Sequence, residues 1–90
     1  SGQIDRLVVE PDRVLIVDYK TNLRPPVAAE GIPPEYLAQL SVYRKLLCGI
    51  YSDRPVEAAL LWTVTPSLMM VPSEVLDETF SRLRSDGSPA

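Results

Sequence analysis

An aspartate and a lysine, Asp18 and Lys20, stand at the end of a short apolar segment. The segment before them, residues 14–17, contains only valine, leucine and isoleucine, which predicts a strand buried on both faces. Because side chains alternate along a strand, Asp18 and Lys20 leave the same face and Tyr19 leaves the other. A carboxylate and an ammonium placed together can bind a cation and transfer a proton, whereas the alternative for an arbitrary D-x-K tripeptide is a surface ion pair.

A second carboxylate, Asp5, is predicted to lie beside Asp18. Residues 3–10 have the pattern of a strand and are followed by a Pro-Asp pair that favours a turn, so they are expected to form an antiparallel hairpin with residues 13–20. A turn centred between this Pro and Asp pairs Asp5 with Asp18. Two adjacent carboxylates repel strongly at low dielectric unless a proton or a cation lies between them, and this repulsion argues for a metal.

A loop and an amphipathic helix are predicted after the hairpin. Residues 21–34 are rich in proline and predict a loop, in which Arg24 is either a phosphate contact or a solvated side chain. From residue 34 to about residue 51, apolar side chains recur at intervals of three and four, which predicts a helix. Gln39 lies one turn before Tyr43, either as a site residue with a partner or as a border residue in water. The expected inner face of the helix comprises Tyr36, Leu40, Tyr43, Leu47 and Ile50.

A strand pair and a last helix are predicted for the second half of the chain. Residues 56–64 are nearly continuous in apolar content, which indicates a central strand, and a turn at residues 65–67 is expected to lead into a short partner at 68–71. Ser73 is expected to cap the last helix. The residues expected on the inner side of this helix are Val75 or Leu76, Phe80 and Leu83.

These elements predict the α/β class, with a hairpin, a helix, a strand pair and a short C-terminal helix around a mixed sheet. We expect one domain over residues 1–84 and a disordered tail at residues 85–90. The chain begins within a predicted strand and without a start methionine, so we expect it to be a piece of a longer protein.

The composition excludes several classes of protein. With 46% hydrophobic and 23% charged residues, the chain has the composition of an ordinary globular domain, and the net charge of −3 disfavours a general polyanion-binding module. No apolar run approaches the ~20 residues that a bilayer requires, so we expect no membrane partner and a cytoplasmic location. The absence of histidine excludes zinc fingers and Ser-His-Asp hydrolases within these ninety residues. Cys48 lies in the helical pattern and is interpreted as a small buried hydrophobe rather than a reactive thiol.

Three short motifs occur in one order along the first half of the chain, on a strand, a strand and a helix. They are G-x-x-D from Gly2 to Asp5, D-Y-K from Asp18 to Lys20, and Q-x-x-x-Y from Gln39 to Tyr43. With the segments around them, they resemble the RecB-type branch of the PD-(D/E)XK nucleases, in particular the C-terminal end of AddA-type helicase–nuclease proteins. Val17 stands where the superfamily has its proline, a replacement that is common in this branch.

The resemblance implies a restriction-endonuclease-like fold and hydrolysis of DNA with Mg²⁺ or Mn²⁺ as cofactor. The acids and the carbonyl between acid and lysine bind the metal in that branch, the lysine assists the attacking water, and the Gln/Tyr pair lies near DNA. The residues implicated are Asp5 and Asp18 as metal ligands and catalytic acids, Tyr19 through its backbone carbonyl, Lys20, Gln39 and Tyr43. The family also has a histidine ligand on a helix upstream of the G-x-x-D strand, so the upstream helix and strand are expected to be missing here.

By the same resemblance, we expect the nuclease part of an ATP-dependent helicase–nuclease that acts as an exonuclease in double-strand break repair and recombination. Its expected partners are DNA, the helicase domains of the parent chain and a second helicase–nuclease subunit. The alternatives are a stand-alone exonuclease, a junction-resolving enzyme, or an assembly module that keeps the fold without catalysis. Alone, the chain is expected to be a weak nuclease and to self-associate through the edge of its first strand.

Overall fold

The fold consists of four strands and two main helices. A computed structural model describes residues 5–21 and 25–87. The elements in chain order are β1 (Arg6–Glu10), β2 (Arg13–Lys20), a 3₁₀ turn (Ala29–Gly31), α1 (Pro34–Ile50), β3 (Val56–Trp62), β4 (Ser67–Val71) and α2 (Ser73–Gly87). The predicted start of the first strand, Gly2 of the first motif, and Arg24 lie outside the described residues.

The strands form one mixed sheet in the order β1-β2-β3-β4. β1 and β2 make the predicted antiparallel hairpin, β3 runs parallel to β2, and β4 returns antiparallel to β3. The parallel pair is closed at both ends by backbone hydrogen bonds, from Val14 N–H to Pro55 O at 2.9 Å and from Thr63 N–H to Lys20 O at 2.9 Å. Parallel neighbours require a crossover connection, and α1 supplies it. The prediction of an α/β fold around a mixed sheet is therefore confirmed.

The main core lies on one face of the sheet. Residues directly opposite one another on neighbouring strands share a face, so the even-numbered positions of β2 and β3 point together toward the helices. α1 contributes Leu40 and Leu47 to this core, and α2 contributes Leu76. The strand residues of the core are Val14, Ile16, Val56, Ala58, Leu60, Trp62 and Val71. Both helices therefore cover the same face of the sheet.

α1 agrees with the predicted helix at both ends. The carbonyl of Pro33 accepts from the N–H groups of Tyr36 and Leu37, and Pro34 occupies the first turn, where its missing N–H is not needed. Ile50 differs from the prediction, because its side chain is 70% exposed rather than packed on the inner face. The periodic pattern continues to the end of the helix, but Ile50 in the last turn is not covered.

The second half of the chain shows three further differences. β3 ends at Trp62 and the turn occupies residues 63–66. The turn predicted at 65–67 therefore begins two residues too late and ends one residue too late. α2 begins at Ser73 with the carbonyl of Pro72 accepting the first helical N–H groups, so Ser73 is the first helical residue rather than the cap. Leu83, predicted to face inward, is 39% exposed.

α2 also continues through residues predicted to be a tail. It ends at Gly87, so a tail that starts at residue 85 begins inside the helix, and residues 88–90 lie outside the described part of the chain. Neither helix within the described ranges has the length and apolar content of a membrane-spanning segment.

The core analysis predicts a large difference between two identical substitutions in α1. Leu40 is 1% exposed and Leu46 is 61% exposed. We expect Leu40→Ala to lower the free energy of unfolding by about 2–5 kcal/mol because it leaves a cavity. Leu46→Ala is expected to change it by no more than about 0.5 kcal/mol. Urea titration followed by circular dichroism measures both, and equal losses would contradict the assignment of the core face.

Candidate active site

The β1–β2 hairpin brings Asp5 next to the end of β2. Arg6 pairs with Val17, and continuing this register by one residue sets Asp5 opposite Asp18, in agreement with the predicted pairing. The backbone N–H of Tyr19 donates to Asp5 Oδ2 at 2.8 Å. This bond fixes the Asp5 carboxylate beside the backbone that joins Asp18 to Lys20.

Asp18 and Lys20 share the core face of β2, as the alternation of the strand predicts. Asp18 is 6% exposed, whereas Tyr19 between them is 41% exposed on the other side of the strand. Lys20 Nζ lies 2.8 Å from Asp18 Oδ2, which is an ion pair. Oδ2 is buried, so its charge is balanced by the Lys20 ammonium rather than by water. Because a carboxylate oxygen has more than one lone pair, Oδ2 can still bind a second partner.

The two carboxyl groups influence each other's protonation. Burial raises the pKa of Asp18, and contact with the Asp5 carboxyl raises it further, whereas Lys20 acts in the opposite direction. The pKa of Asp5 is lowered, first by its contact with Asp18 and then by the N–H of Tyr19. Asp5 therefore carries its charge at lower pH, and Asp18 is the member of the pair that tends to keep a proton. A cation between them would allow both to ionise.

The aromatic ring of Tyr36 holds Lys20 on a second side. The apolar spacing of the helix assigns this ring only to the core. The Lys20 Nζ lies 3.7 Å from the centroid of the Tyr36 ring, and the lysine side chain is 13% exposed. Tyr36 is in the first turn of α1. The helix that follows a strand in a crossover starts near the end of that strand, so a residue in its first turn can reach Lys20. The sequence position of Tyr36 in this turn could therefore have indicated the contact.

Gln39 and Tyr43 follow Tyr36 along α1, and both are partly buried. The Tyr43 ring packs against the core, and its hydroxyl is buried without a hydrogen-bond partner. Within residues 5–21 and 25–87, no hydrogen bond joins either side chain to Asp5, Asp18 or Lys20. The structure thus places the Q-x-x-x-Y motif on the crossover helix, and among the described residues neither of its two side chains is hydrogen-bonded to the acidic pair.

The oxygen atoms of the site suit a hard divalent cation. Asp18 offers its buried Oδ2, and Asp5 offers a carboxylate held at the same end of β2. Because the N–H and C=O of a strand residue point to the same neighbour, the carbonyl of Tyr19 faces the Asp5 side as well. Mg²⁺ and Mn²⁺ prefer such ligands. The described residues contain no group of three or more His, Cys, Asp or Glu side chains that could hold a metal.

Comparison with known proteins agrees with this fold. Residues 1–83 match the PD-(D/E)XK nuclease superfamily. The chain therefore belongs to the PD-(D/E)XK nuclease superfamily, and its mixed sheet with two helices is consistent with the restriction-endonuclease-like fold. The resemblance drawn from the three motifs is confirmed at this level.

The chain is also 31% identical, over 71 residues, to an ATP-dependent helicase/nuclease subunit of Desulforudis audaxviator. The aligned region is 79% of this chain and 6% of that protein. The chain thus corresponds to a small part of the curated relative that it matches. No solved structure matches the chain.

The pKa shift of Asp18 predicts how stability depends on pH. A carboxyl whose pKa is raised by folding binds more protons in the folded state, so stability falls as pH rises from its ordinary pKa of 3.8 to the raised one. Asp18→Asn removes this charge, so it should increase the free energy of unfolding at about pH 7 and leave it nearly unchanged at about pH 3. Urea titrations in EDTA measure both values.

Asp53 provides the matched control for this prediction. Its pKa is lowered by Arg54, so its charge does not oppose folding, and Asp53→Asn should give no gain in stability at about pH 7. A loss of stability in Asp18→Asn at neutral pH would show that the Lys20 ion pair outweighs the cost of burying the carboxylate.

Proposed function

We propose that this chain is the metal-dependent DNA nuclease core of a helicase–nuclease that acts in double-strand break repair and recombination. The observation that carries the proposal is the buried Asp18, set opposite Asp5 and ion-paired with Lys20, in a member of the PD-(D/E)XK superfamily. The relative from Desulforudis audaxviator, named as an ATP-dependent helicase/nuclease subunit, supports the wider context. The reaction is hydrolysis of a phosphodiester bond, of the exonuclease type.

Asp5, Asp18 and the carbonyl of Tyr19 are proposed to hold Mg²⁺ or Mn²⁺. Such an ion lowers the pKa of a bound water and stabilises the charge that develops on the phosphate. The buried Oδ2 of Asp18 supports this role because a buried carboxylate needs positive charge nearby, and the Asp5 carboxyl beside it adds an acidic group that Lys20 only partly offsets. Asp5 remains exposed and can be reached from solvent.

Lys20 is proposed to orient the attacking water or, once its ammonium has released a proton to solvent, to accept the proton of that water. Its Nζ lies 2.8 Å from the Asp18 oxygen proposed to bind the ion, so a water near that oxygen is within reach of the amine. Gln39 and Tyr43 are proposed to lie on the side where DNA approaches. With a net charge of −3, the chain itself supplies no broad basic surface for DNA, so local contacts and the metal must hold the phosphate.

The remaining partners follow from the same proposal. The parent chain would carry helicase domains that bind ATP, and a second helicase–nuclease subunit would complete the enzyme in the cytoplasm. A stand-alone exonuclease or a resolving enzyme of the same superfamily would use the same site residues. An assembly module without catalysis is the competing function, because the described residues offer only two acidic ligands.

Two substitutions are predicted to separate metal binding from catalysis. Asp18→Ala should abolish the heat of Mn²⁺ binding in isothermal titration calorimetry, because it removes the buried ligand. Lys20→Ala should preserve that heat but slow DNA cleavage by the parent protein roughly 10²–10⁴-fold, as expected for loss of a proton-transfer group. Asp53→Ala, at an exposed carboxylate in the turn before β3, is the control and should change neither.

Equal heats from the unmodified chain and Asp18→Ala would remove the metal site and favour an assembly module. In the parent protein, Asp18→Ala should abolish nucleolysis and leave ATP-driven unwinding intact. Loss of both activities would instead indicate a role of Asp18 in folding.

We also propose that the ninety-residue chain self-associates when it is isolated. β1 is an edge strand of the described sheet, and its Leu7 and Val9 are 40% and 47% exposed. Alternate N–H and C=O groups of an edge strand point away from the sheet, so they are available to pair with another copy. A two-fold contact between identical edges is the commonest arrangement.

Light scattering of the isolated chain is predicted to show a dimer or larger species that dissociates on dilution. Replacement of Val9 by lysine, which places a charge on the edge strand, should shift the equilibrium to monomer. The same samples are expected to nick plasmid DNA only weakly in Mn²⁺, because two carboxylates and a carbonyl leave most of the metal's ligands to water. A strictly monomeric chain with vigorous cleavage would contradict both expectations.

A further inference from the structure

Tyr36 is the aromatic residue that lies closest to a cation in the described structure. The Lys20 Nζ is 3.7 Å from its ring centroid, whereas Lys45 is 5.7 Å from Phe80 and Arg54 is 5.8 Å from Tyr51. Cation–π attraction acts within about 6 Å of a ring centroid and strengthens when the cation is shielded from water. The Lys20 side chain is 13% exposed, so this contact is the strongest of the three.

The surroundings of Lys20 leave its ammonium few other positions. Trp62 lies opposite Lys20 on the parallel neighbour strand, shares its face of the sheet and is fully buried. Asp18 Oδ2 lies on another side at 2.8 Å. A lysine side chain is long and flexible and has a large rotamer entropy. The ring therefore adds a further restraint to those that Asp18 and Trp62 place on this flexible group.

We propose that Tyr36 is a positioning residue that holds the Lys20 ammonium beside Asp18 by cation–π contact with its ring. The inference rests on the proposed function of Lys20 and adds a residue outside the acid, lysine and Q-x-x-x-Y motifs. The ring face makes the contact, so the hydroxyl is not required and phenylalanine should replace tyrosine. A purely structural role in the core would instead be met by any apolar side chain of similar size.

The contact can be tested without any activity. The chain contains two lysines, Lys20 and Lys45, so isotope-labelled lysine gives two sets of side-chain NMR signals, which Lys20→Arg assigns. Protons above an aromatic ring are shielded, so the ε-methylene signal of Lys20 is expected upfield of that of Lys45. Tyr36→Phe should preserve the upfield position and Tyr36→Leu should abolish it.

Tyr51→Leu is the matched control, because Tyr51 also packs against the core and faces a cation, Arg54. It should leave the Lys20 signal unchanged. If Lys20 and Lys45 have the same chemical shift in the unmodified chain, the contact is absent and the inference is wrong. This outcome does not require any variant to fold.

The catalytic consequence is tested in the parent protein. Tyr36→Leu should lower kcat for DNA cleavage by about 2- to 30-fold, the factor that corresponds to the cation–π energy of a partly desolvated lysine. The KM for DNA should not change, and Tyr36→Phe should restore kcat. In a Lys20→Ala background, Tyr36→Leu should have no further effect, because the two residues act as a unit.

The outcomes of the two tests are separable. The positioning role is wrong if the unmodified chain shows the upfield Lys20 signal but folded Tyr36→Leu has an unchanged kcat. It is also wrong if Tyr36→Leu lowers kcat further in the Lys20→Ala background. Absence of cleavage by the unmodified parent overturns the proposed function, and with it the catalytic part of this inference, while the NMR result on the contact stands separately.

Discussion

The carboxylate of Asp18 is buried at the end of a strand that has neighbours on both sides, and most features of the site compensate for this burial. Desolvation is the main reason for its raised pKa, and Lys20 offsets only part of that cost. A charge in this position is costly for folding, and a cation bound beside Asp18 would favour its ionised form and lower that cost. Asp5 adds a second negative group at the same place, which increases the cost further without a cation. The residues that form the site therefore offset only part of the cost of placing these two carboxylates together.

The topology explains why the groups meet where they do. β2 and β3 are parallel, so the connection between them must return along the sheet, and α1 makes this return. Its first turn therefore lies near the carboxyl end of β2, where Tyr36 meets Lys20. Ligand sites in open α/β sheets form at the carboxyl ends of strands for the same reason. The hairpin contributes the third side of the site, because Asp5 directly precedes β1, the strand that runs antiparallel to β2.

Short-range patterns were sufficient to predict the hairpin and its register. Once the two turn residues between β1 and β2 are fixed, every pair from Glu10 and Arg13 to Arg6 and Val17 follows, and Asp5 is set against Asp18. The alternation of β2 likewise placed Asp18 and Lys20 together. These predictions depend only on neighbours in sequence, and for that reason they did not require knowledge of the tertiary structure.

The errors in predicted burial arose at positions where burial depends on how far a helix is covered by its neighbours. Ile50 and Leu83 continue the apolar pattern of their helices, yet both are exposed, at 70% and 39%. Periodicity identifies the inner side of a helix but not where its partner ends. The contact of Tyr36 with Lys20 was missed for a related reason, since the same apolar spacing describes a tyrosine in the core and one that ends above a cation.

α1 has two functions in this structure, and they constrain each other. Leu40 and Leu47 anchor the helix to the core, while Tyr36 in its first turn contacts Lys20. A displacement of α1 that opened the site would expose both leucines and lose the free energy of their burial, about 1.5–3 kcal/mol for each. The helix side of the site is therefore fixed. Its accessible side is the one formed by β1, where Asp5 is exposed and Tyr19 reaches solvent, so the two carboxylates can be approached without disturbing the core.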